Sequence, residues 1–502
     1  MKIVAKRLPL YTGGPDIVVM GKEHAAELDL HPMDRVHVTN PNNQSKSLTA
    51  YLHFWHEANP VLGVFANTFD KLEIEDGETV SIFPAPKPSS IAHIINKMNR
   101  MQLSEKQIFE IIRDIVDNKL TDLEIASFIT SIYMGGTTLD EATYLSKAIA
   151  KTGDTLSFDA DIIADKHCSG SVPGNRTTPI VVPVIAALGI TIPKSSSRSI
   201  TSPAGTADVM EVFCQVSFDK DEIKKIVSKT NGCIIWGGGL RIAPADSKLI
   251  SVRKPLKADP EGLLMSSILS KKYAMGATHV ILDIPLGLET RYKNIGEARL
   301  LERETIMIAN RLGMKAKVVI TDGDEPIGSG IGPVLEAIDV LKVLRNDDDA
   351  PSDLRKKALL VGGKLLELIG LEKFDFEGNG ADLMSSVLSS GKAYEKFKQI
   401  IEAQKGDPEV TVEQLRKRLS EHTFDIEADS FGMIYDIQNP VVAKVARMAG
   451  APQNSGCGIY FHYKFQDAVS AGDVLATVYC GNPDKLRRTK RTLESNKMIF
   501  IK

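Results

Sequence analysis

Two short stretches of this chain gather the residue types that bind anions. The first runs Asp165-Lys166-His167-Cys168-Ser169-Gly170-Ser171-Val172-Pro173-Gly174-Asn175-Arg176-Thr177-Thr178. Gly170 and Gly174 fall in a loop ahead of an apolar run that reads as helix. Such a loop can turn backbone N–H groups and a helix N-terminus toward an anion. Lys166 would add a point charge, and Ser169, Ser171, Thr177 and Thr178 would add hydroxyl donors. A plain turn has the same composition. The second stretch, residues 194–208, holds seven hydroxyl residues and the cations Lys194 and Arg198. A flexible linker could carry that much serine, but the flanking Ile190-Thr191-Ile192 and Val209-Met210-Glu211-Val212-Phe213 read as ordered elements. Hydroxyls and cations converging with backbone N–H groups suit phosphate oxygens. The stretch lacks the Gly-Lys-Ser/Thr ending of a Walker A loop. Asp259, ahead of Ser266-Ser267-Ile268-Leu269-Ser270-Lys271-Lys272, is the third candidate. A carboxyl there could move a proton, or could simply cap a helix.

Other signals carry less. His53 and His56 have helical spacing but lie in a β-like region, and the ten histidines show no metal-site grouping, so no metal is expected. Trp236-Gly237-Gly238-Gly239 reads as a backbone turn. The five cysteines lie far apart with no CxxC pair, which fits reduced thiols in the cytoplasm.

The elements that must hold these loops can be read from pattern. Residues 1–84 read as a β-rich, barrel-like domain of short apolar pieces such as 16–20 and 35–39. Glu75-Asp76-Gly77-Glu78 reads as a hairpin turn between two such pieces. Pro84-Ala85-Pro86-Lys87-Pro88 then reads as a linker. Residues 86–158 carry three capping-box patterns, starting at Ser104, Thr121 and Thr138. Ile108, Ile111, Ile112 and Ile115 make one apolar helical face behind the first. Residues 159–345 alternate strand and helix, with strands at 191–193, 279–284 and 316–320 and helices at 263–274 and 334–344. That alternation predicts an α/β domain with a largely parallel sheet, whose ligands bind beyond the strand C-termini. Residues 346–425 are charged and helical, and the 346–502 region ends in a small α+β domain with a turn at Ala471-Gly472-Asp473. The fold class expected is therefore multidomain α/β.

Bulk properties agree. A length of 502 residues fits roughly three or four domains. Hydrophobic residues make up 43% and charged residues 25%, an ordinary globular balance. A net charge of −3 gives no electrostatic case for nucleic acid or an anionic membrane. The start, Met1-Lys2-Ile3-Val4-Ala5-Lys6-Arg7, has no apolar run of a leader, and residues 179–192 are too short to span a bilayer.

Taken in order, these motifs resemble the thymidine/pyrimidine nucleoside phosphorylase family. Asp165-Lys166-His167 is similar to the start of its first phosphate loop. Residues 197–208 with Glu211 resemble its signature. Ala243-Pro244-Ala245-Asp246, Arg253 and Ser267-Ile268-Leu269-Ser270-Lys271-Lys272 are similar to its base-binding stretch, and Thr321-Asp322-Gly323-Asp324-Glu325-Pro326-Ile327-Gly328 also looks familial. The match spans roughly residues 86–500. Within the family the nucleotide-using branch, the archaeal-type AMP phosphorylases, is the most similar. The added N-terminal β domain, the Val172-Pro173-Gly174-Asn175 loop and Ser251-Val252-Arg253-Lys254-Pro255-Leu256 point there.

The resemblance implies a pentosyltransferase that uses inorganic phosphate as co-substrate, with no cofactor. The expected reaction converts AMP and phosphate to adenine and ribose 1,5-bisphosphate, with CMP and UMP as further substrates, in AMP catabolism. Asp259 matches the proton donor to the leaving base. Ser171, Ser197, Arg198, Ser199, Ile200, Thr201, Ser202, Thr206, Ser267 and Arg291 match AMP-binding positions. Lys166, Ser196 and Thr206 match the phosphate-binding side, with Arg253 and Lys271 as candidate base contacts. Three residues depart from the pattern. Cys168 replaces a serine with a poor donor, Ser171 replaces a glycine, and Arg291 replaces a lysine with a different geometry. The resemblance also implies homodimers or larger homo-oligomers and a cytoplasmic enzyme. A thymidine or pyrimidine nucleoside phosphorylase, a phosphoribosyltransferase of the anthranilate type, and a catalytically inactive scaffold are the rival readings.

Overall fold

The computed structural model describes residues 1–43, 45–55, 60–170, 172–199, 202–256 and 258–502. The chain forms two compact units. The first holds residues 1–152 and 244–266; the second holds residues 153–243 and 267–502.

The first unit begins with a closed barrel of six strands among the described residues, in the order Lys2–Leu8, Val61–Phe65, Ile17–Met20, Ser47–Phe54, Arg35–Thr39 and Thr79–Pro84. Alternate residues such as Val36, Val38, Leu62, Val64, Val80 and Ile82 fill its interior, as period-2 patterning requires. The hairpin expected at Glu75–Glu78 is not one. The helix Ala66–Leu72 precedes the turn, and the strand Thr79–Pro84 that follows pairs with Lys2–Leu8 and Arg35–Thr39. Short helices inserted between barrel strands interrupt the alternation that a hairpin would show.

Helices Ser90–Met98, Glu105–Val116, Asp122–Gly135 and Leu139–Lys151 follow. All three expected capping boxes form at Ser104, Thr121 and Thr138. The third does more than cap. Glu141 also accepts from Lys97 Nζ at 2.7 and 2.9 Å and from Leu103 N at 3.0 Å, and both ionic side chains are buried. The helix Pro244–Leu256 belongs to this unit as well, with Lys248 Nζ donating to Asn118 Oδ1 at 2.6 Å.

In the second unit every pairing of the central strands is parallel. Lys315–Asp322, His279–Leu286 and Ala164–Cys168 form one ladder, and Ile192–Ser196 and Gly232–Trp236 form another. A parallel bridge, Ile163 with Thr191, links the two. Thr178–Ala187 packs in one core with helices Ser352–Ile369, Gly380–Ser389 and Lys392–Ala403, through Ile180, Val184, Leu365, Met384 and Phe397. The 346–425 stretch thus covers the α/β core. Antiparallel strands from His422 onward, with helices Asn439–Ala449 and Pro483–Ser495, form the small terminal α+β part around Val442, Ile459 and Val478. The multidomain α/β class read from sequence holds. Among the described residues no helix is long and apolar enough to cross a membrane.

Removing one partner of a buried ion pair strands the other charge, at a cost of about 3–5 kcal/mol. Glu141→Gln should therefore lower the melting temperature by several degrees. Burial pushes Glu141 up, but Lys97 and the Thr138 and Leu103 amides outweigh it and hold the carboxyl below its ordinary 4.5. Its stabilisation is thus present above about pH 4.5 and lost as pH falls through the lower folded value. Melting curves from pH 7 to pH 3 on native and Glu141→Gln protein should converge at the acid end.

Candidate active site

The first anion loop leaves the C-terminal end of the Ala164–Cys168 strand and enters the Thr178–Ala187 helix. Asp165, Lys166 and His167 are strand residues, so their side chains alternate between the two faces of the sheet. Lys166 and Cys168 share a face with Ile281 and Asp283 on the neighbouring strand, through the register Lys166↔Ile281 and Cys168↔Asp283. Lys166 is 1% exposed and donates to Thr177 Oγ1 at 2.7 Å. Burial lowers its pKa, with the positive Lys357 and Arg176 adding to the effect and Asp283 opposing it. Lys357 reaches the same place from the Ser352–Ile369 helix. Its Nζ is buried 3.6 Å from Asp283 Oδ2 and makes no hydrogen bond among the described residues. Asp283 accepts from Thr321 Oγ1 at 2.6 Å and Asn175 Nδ2 at 3.2 Å. Burial alone would raise its pKa, but Lys357 and Lys166 carry it below the usual range.

Asp165 and His167 organise the opposite face. Lys272 Nζ donates to both Asp165 oxygens at 3.0 and 2.9 Å, and Lys194 Nζ stands 3.9 Å from Asp165. Burial and the neighbouring Lys272 push Lys194 well down. Burial, with Lys272 and Lys194 beside it, holds His167 neutral, far below 6.5. Four buried lysines therefore share two buried carboxylates.

Cys168 does not replace the missing hydroxyl. Its Sγ accepts from Gly170 N at 3.4 Å and Asn175 Nδ2 at 3.2 Å, and burial pushes the thiol up to about 11. It remains a protonated thiol, unsuited to nucleophilic attack. The neighbouring Ser169 Oγ is buried and has no hydrogen-bond partner among the described residues. Gly174 is obligatory. Its φ is +72°, and a Cβ there would lie 1.9 Å from Ile327 O.

The second loop folds back on itself. Asp208 Oδ2 accepts from Ser199 N at 2.8 Å and Gly205 N at 2.7 Å. Ser197 O accepts from Ala207 N at 3.3 Å, and Ser196 O from Gly237 N at 2.9 Å. Ser199 Oγ donates to Ser202 O, and Ser202 Oγ to Ala204 O. Gly205 admits this fold, because a Cβ would meet the Arg198 carbonyl carbon at 2.5 Å. Arg198 pairs with Glu211 and lies over the Trp236 ring at 4.7 Å. Arg447 donates to Ser202 O at 3.0 Å. Arg176 reaches in from the first loop. It pairs with Glu336 through Nε and donates from NH1 to Thr206 Oγ1 at 3.1 Å and from NH2 to Ala204 O at 2.8 Å.

The remaining candidates are placed as follows. Ser267 and Lys271 share a turn of the Glu261–Ala274 helix, with Lys271 Nζ donating to Ser267 Oγ at 3.3 Å. Arg291 lies in the loop after the His279–Leu286 strand. Asp259 and Arg253 belong to the first unit, where Arg253 Nε stands 3.4 Å from Asp259 Oδ1 and the Asp259 side chain is 47% exposed. Pro260 O accepts from Leu264 N, and Asp259 lies just ahead of the Glu261–Ala274 helix. Ser171, Ile200 and Thr201, and His56 among the discounted residues, fall outside the described residues. No group of metal-ligating side chains occurs among the described residues.

Comparison with known proteins fits this arrangement. Residues 91–153 match the helical bundle domain, and residues 160–394 the a/b domain, of a glycosyl transferase family. An AMP phosphorylase of Thermofilum pendens is 40% identical over 502 residues, covering 100% of this chain and 95% of that one. An AMP phosphorylase of Thermococcus kodakarensis is 41% identical, over 97% of this chain and 95% of the other. The chain belongs to the AMP phosphorylase family. The resemblance read from its loops is borne out. The anthranilate phosphoribosyltransferase of Thermus thermophilus shares the fold at a TM-score of 0.53 and 16% identity, over 62% of this chain and 99% of that one.

Within this AMP phosphorylase family member, sequence reading missed Asp283, Lys357, Asn175, Glu336 and Asp208 as parts of the site. Asp283 lies inside a strand that reads as core, and Lys357 in a charged helix that reads as surface. Only the parallel register and the packing of the Ser352–Ile369 helix bring them to the loop. Asp208 carried a usable signal, since Gly205-Thr206-Ala207-Asp208 has the spacing of a cap whose third residue reaches back. A hydrogen bond to a charged acceptor is worth about 1.5–3 kcal/mol. Asp208→Asn should accordingly speed amide exchange at Ser199 and Gly205 by at least about tenfold, measured by hydrogen–deuterium exchange, while amides of the barrel stay unchanged.

Proposed function

We propose that this protein cleaves the N-glycosidic bond of nucleoside 5′-monophosphates with inorganic phosphate, AMP first, with CMP and UMP as further substrates. The observation that carries the reading is the pair of hydroxyl-rich loops set over a surplus of buried cations, in a chain whose full-length relatives are named AMP phosphorylases. Two anions must be held together for this reaction, the attacking phosphate and the 5′-phosphate of the substrate. A phosphate oxygen forms the new bond to C1′ of the ribose. The bond from C1′ to the base nitrogen breaks with its electron pair going to the base, which takes up a proton. The products are free base and ribose 1,5-bisphosphate. Phosphate is already anionic, so no serine or cysteine nucleophile is needed, and the catalytic gain is chiefly positioning.

In this reading Lys166, Ser196 and Thr206 hold the attacking phosphate, and Ser169 supplies the hydroxyl that Cys168 lacks. Ser171, Ser197, Arg198, Ser199, Ile200, Thr201, Ser202, Thr206, Ser267 and Arg291 hold the nucleotide, and Arg253 and Lys271 contact the base. Asp259 delivers the proton to the base, at N7 for a purine, with Arg253 orienting its carboxyl. The enzyme works in the cytoplasm as a homodimer or larger homo-oligomer and requires no cofactor.

Purified protein incubated with AMP, CMP, UMP, GMP, adenosine, uridine and thymidine should release free base only from nucleotides and only when phosphate is present. Release from nucleosides alone would move the chain to the pyrimidine nucleoside branch. Asp259→Asn should lower kcat at least a hundredfold with little change in KM for phosphate; full turnover by that variant would remove the acid role. Lys166→Met should lower kcat/KM for phosphate at least about tenfold, the worth of one charge-assisted hydrogen bond. Light scattering on the eluted protein measures the oligomer, and a monomer mass would remove that part.

A further inference from the structure

The structure assigns Arg176 as the positioning residue that makes Thr206 a directed hydrogen-bond donor to phosphate. The assignment rests on the phosphorolysis reading and adds to it a residue that touches no substrate.

A threonine hydroxyl has one proton to give and two lone pairs to receive. Arg176 NH1 donates to Thr206 Oγ1 at 3.1 Å, so one lone pair of that oxygen is committed. A guanidinium has no lone pair to offer and cannot take the hydroxyl proton in return. No acceptor for that proton occurs among the described residues, so it is left to point at an acceptor from outside, and an anion is the natural match. The donor is charged, which polarises the hydroxyl further.

The guanidinium has little freedom to do otherwise. It is 6% exposed. Its Nε is tied to Glu336 on the Pro333–Arg345 helix, and Glu336 Oε1 in turn accepts from Gly332 N at 3.0 Å. Its NH2 holds Ala204 O at 2.8 Å, the carbonyl that also receives Ser202 Oγ. Arg176 belongs to the first anion loop, while Ala204 and Thr206 belong to the second. One planar fork with three separated contacts therefore sets the spacing of the two loops and the direction of the hydroxyl together. A lysine would keep the charge and lose the fork.

The test is titration calorimetry of inorganic phosphate into the full-length protein, as native chain, Arg176→Lys, Thr206→Val, Thr206→Ser and the Arg176→Lys/Thr206→Val double variant. Arg176→Lys and Thr206→Val should each weaken phosphate binding about tenfold or more. The double variant should bind within twofold of Thr206→Val alone, because the arginine acts through that hydroxyl. Thr206→Ser, which keeps the hydroxyl, should stay within threefold of native. In turnover assays Arg176→Lys should raise KM for phosphate more than it lowers kcat. If Arg176→Lys does not fold, Glu336→Gln replaces it in the same cycle. Losses that multiply in the double variant, or unchanged binding in Arg176→Lys, would overturn the assignment. Native protein that binds phosphate with this coupling but releases no base would sink the phosphorolysis reading and leave the positioning role standing. Native protein that binds no phosphate would sink both.

Discussion

Buried positive charge is the constraint around which the second unit is built. Lys166, Lys194, Lys272 and Lys357 are all buried, and Asp165 and Asp283 are the carboxylates that face them. Taking an ammonium group out of water costs several kcal/mol after relaxation. Two carboxylates face four such groups, and burial, with neighbouring cations adding to it, lowers Lys166 and Lys194. The charge is distributed over two faces of one sheet. Asp165 faces one side with Lys272 and Lys194, and Asp283 the other with Lys166 and Lys357. Parallel register fixes that division. A slip by one residue between Ala164–Cys168 and its neighbour would exchange the faces and leave each carboxylate among the wrong partners.

The loops above this charge are held by backbone, not by bulk. Gly174 and Gly205 are places where main chain touches main chain, at Ile327 O and at the Arg198 carbonyl. Asp208 gathers two amides of the second loop onto a single oxygen. Two hydroxyls there, Ser199 and Ser202, spend their proton on neighbouring carbonyls. Serine content alone is therefore a poor guide to which hydroxyls can serve a ligand. Ser169 Oγ, buried without a partner among the described residues, and Thr206 Oγ1, which accepts from Arg176, keep a proton to give.

What was legible in the sequence divides along the same line. Capping boxes are local, so Ser104, Thr121 and Thr138 could be read directly and form as read. The two anion loops are contiguous and could be read from composition. Asp283, Lys357 and Glu336 could not, because each is one charged residue in an element whose pattern announces only strand or helix. Their place depends on pairing and packing across more than a hundred residues, which no local window contains. The Glu75–Glu78 turn failed for a different reason. The acidic Asp-Gly signal was genuine, but the element ahead of it was a short helix with the apolar content of a strand.

The return of residues 244–266 to the first unit has a consequence in time. A ribosome delivers the chain from its N-terminus at about 5–20 residues per second, and domains tend to fold as they emerge. The barrel and the four helices that follow it are complete at residue 152, yet their last partner arrives more than a hundred residues later, after roughly 5–25 seconds of further synthesis. Until then Asn118 waits for Lys248, and the Ala142 carbonyl waits for Ser266. In the interval the first segment of the second unit, residues 153–243, is growing from the same chain. Neither unit can be cut out as one continuous fragment without carrying residues of the other.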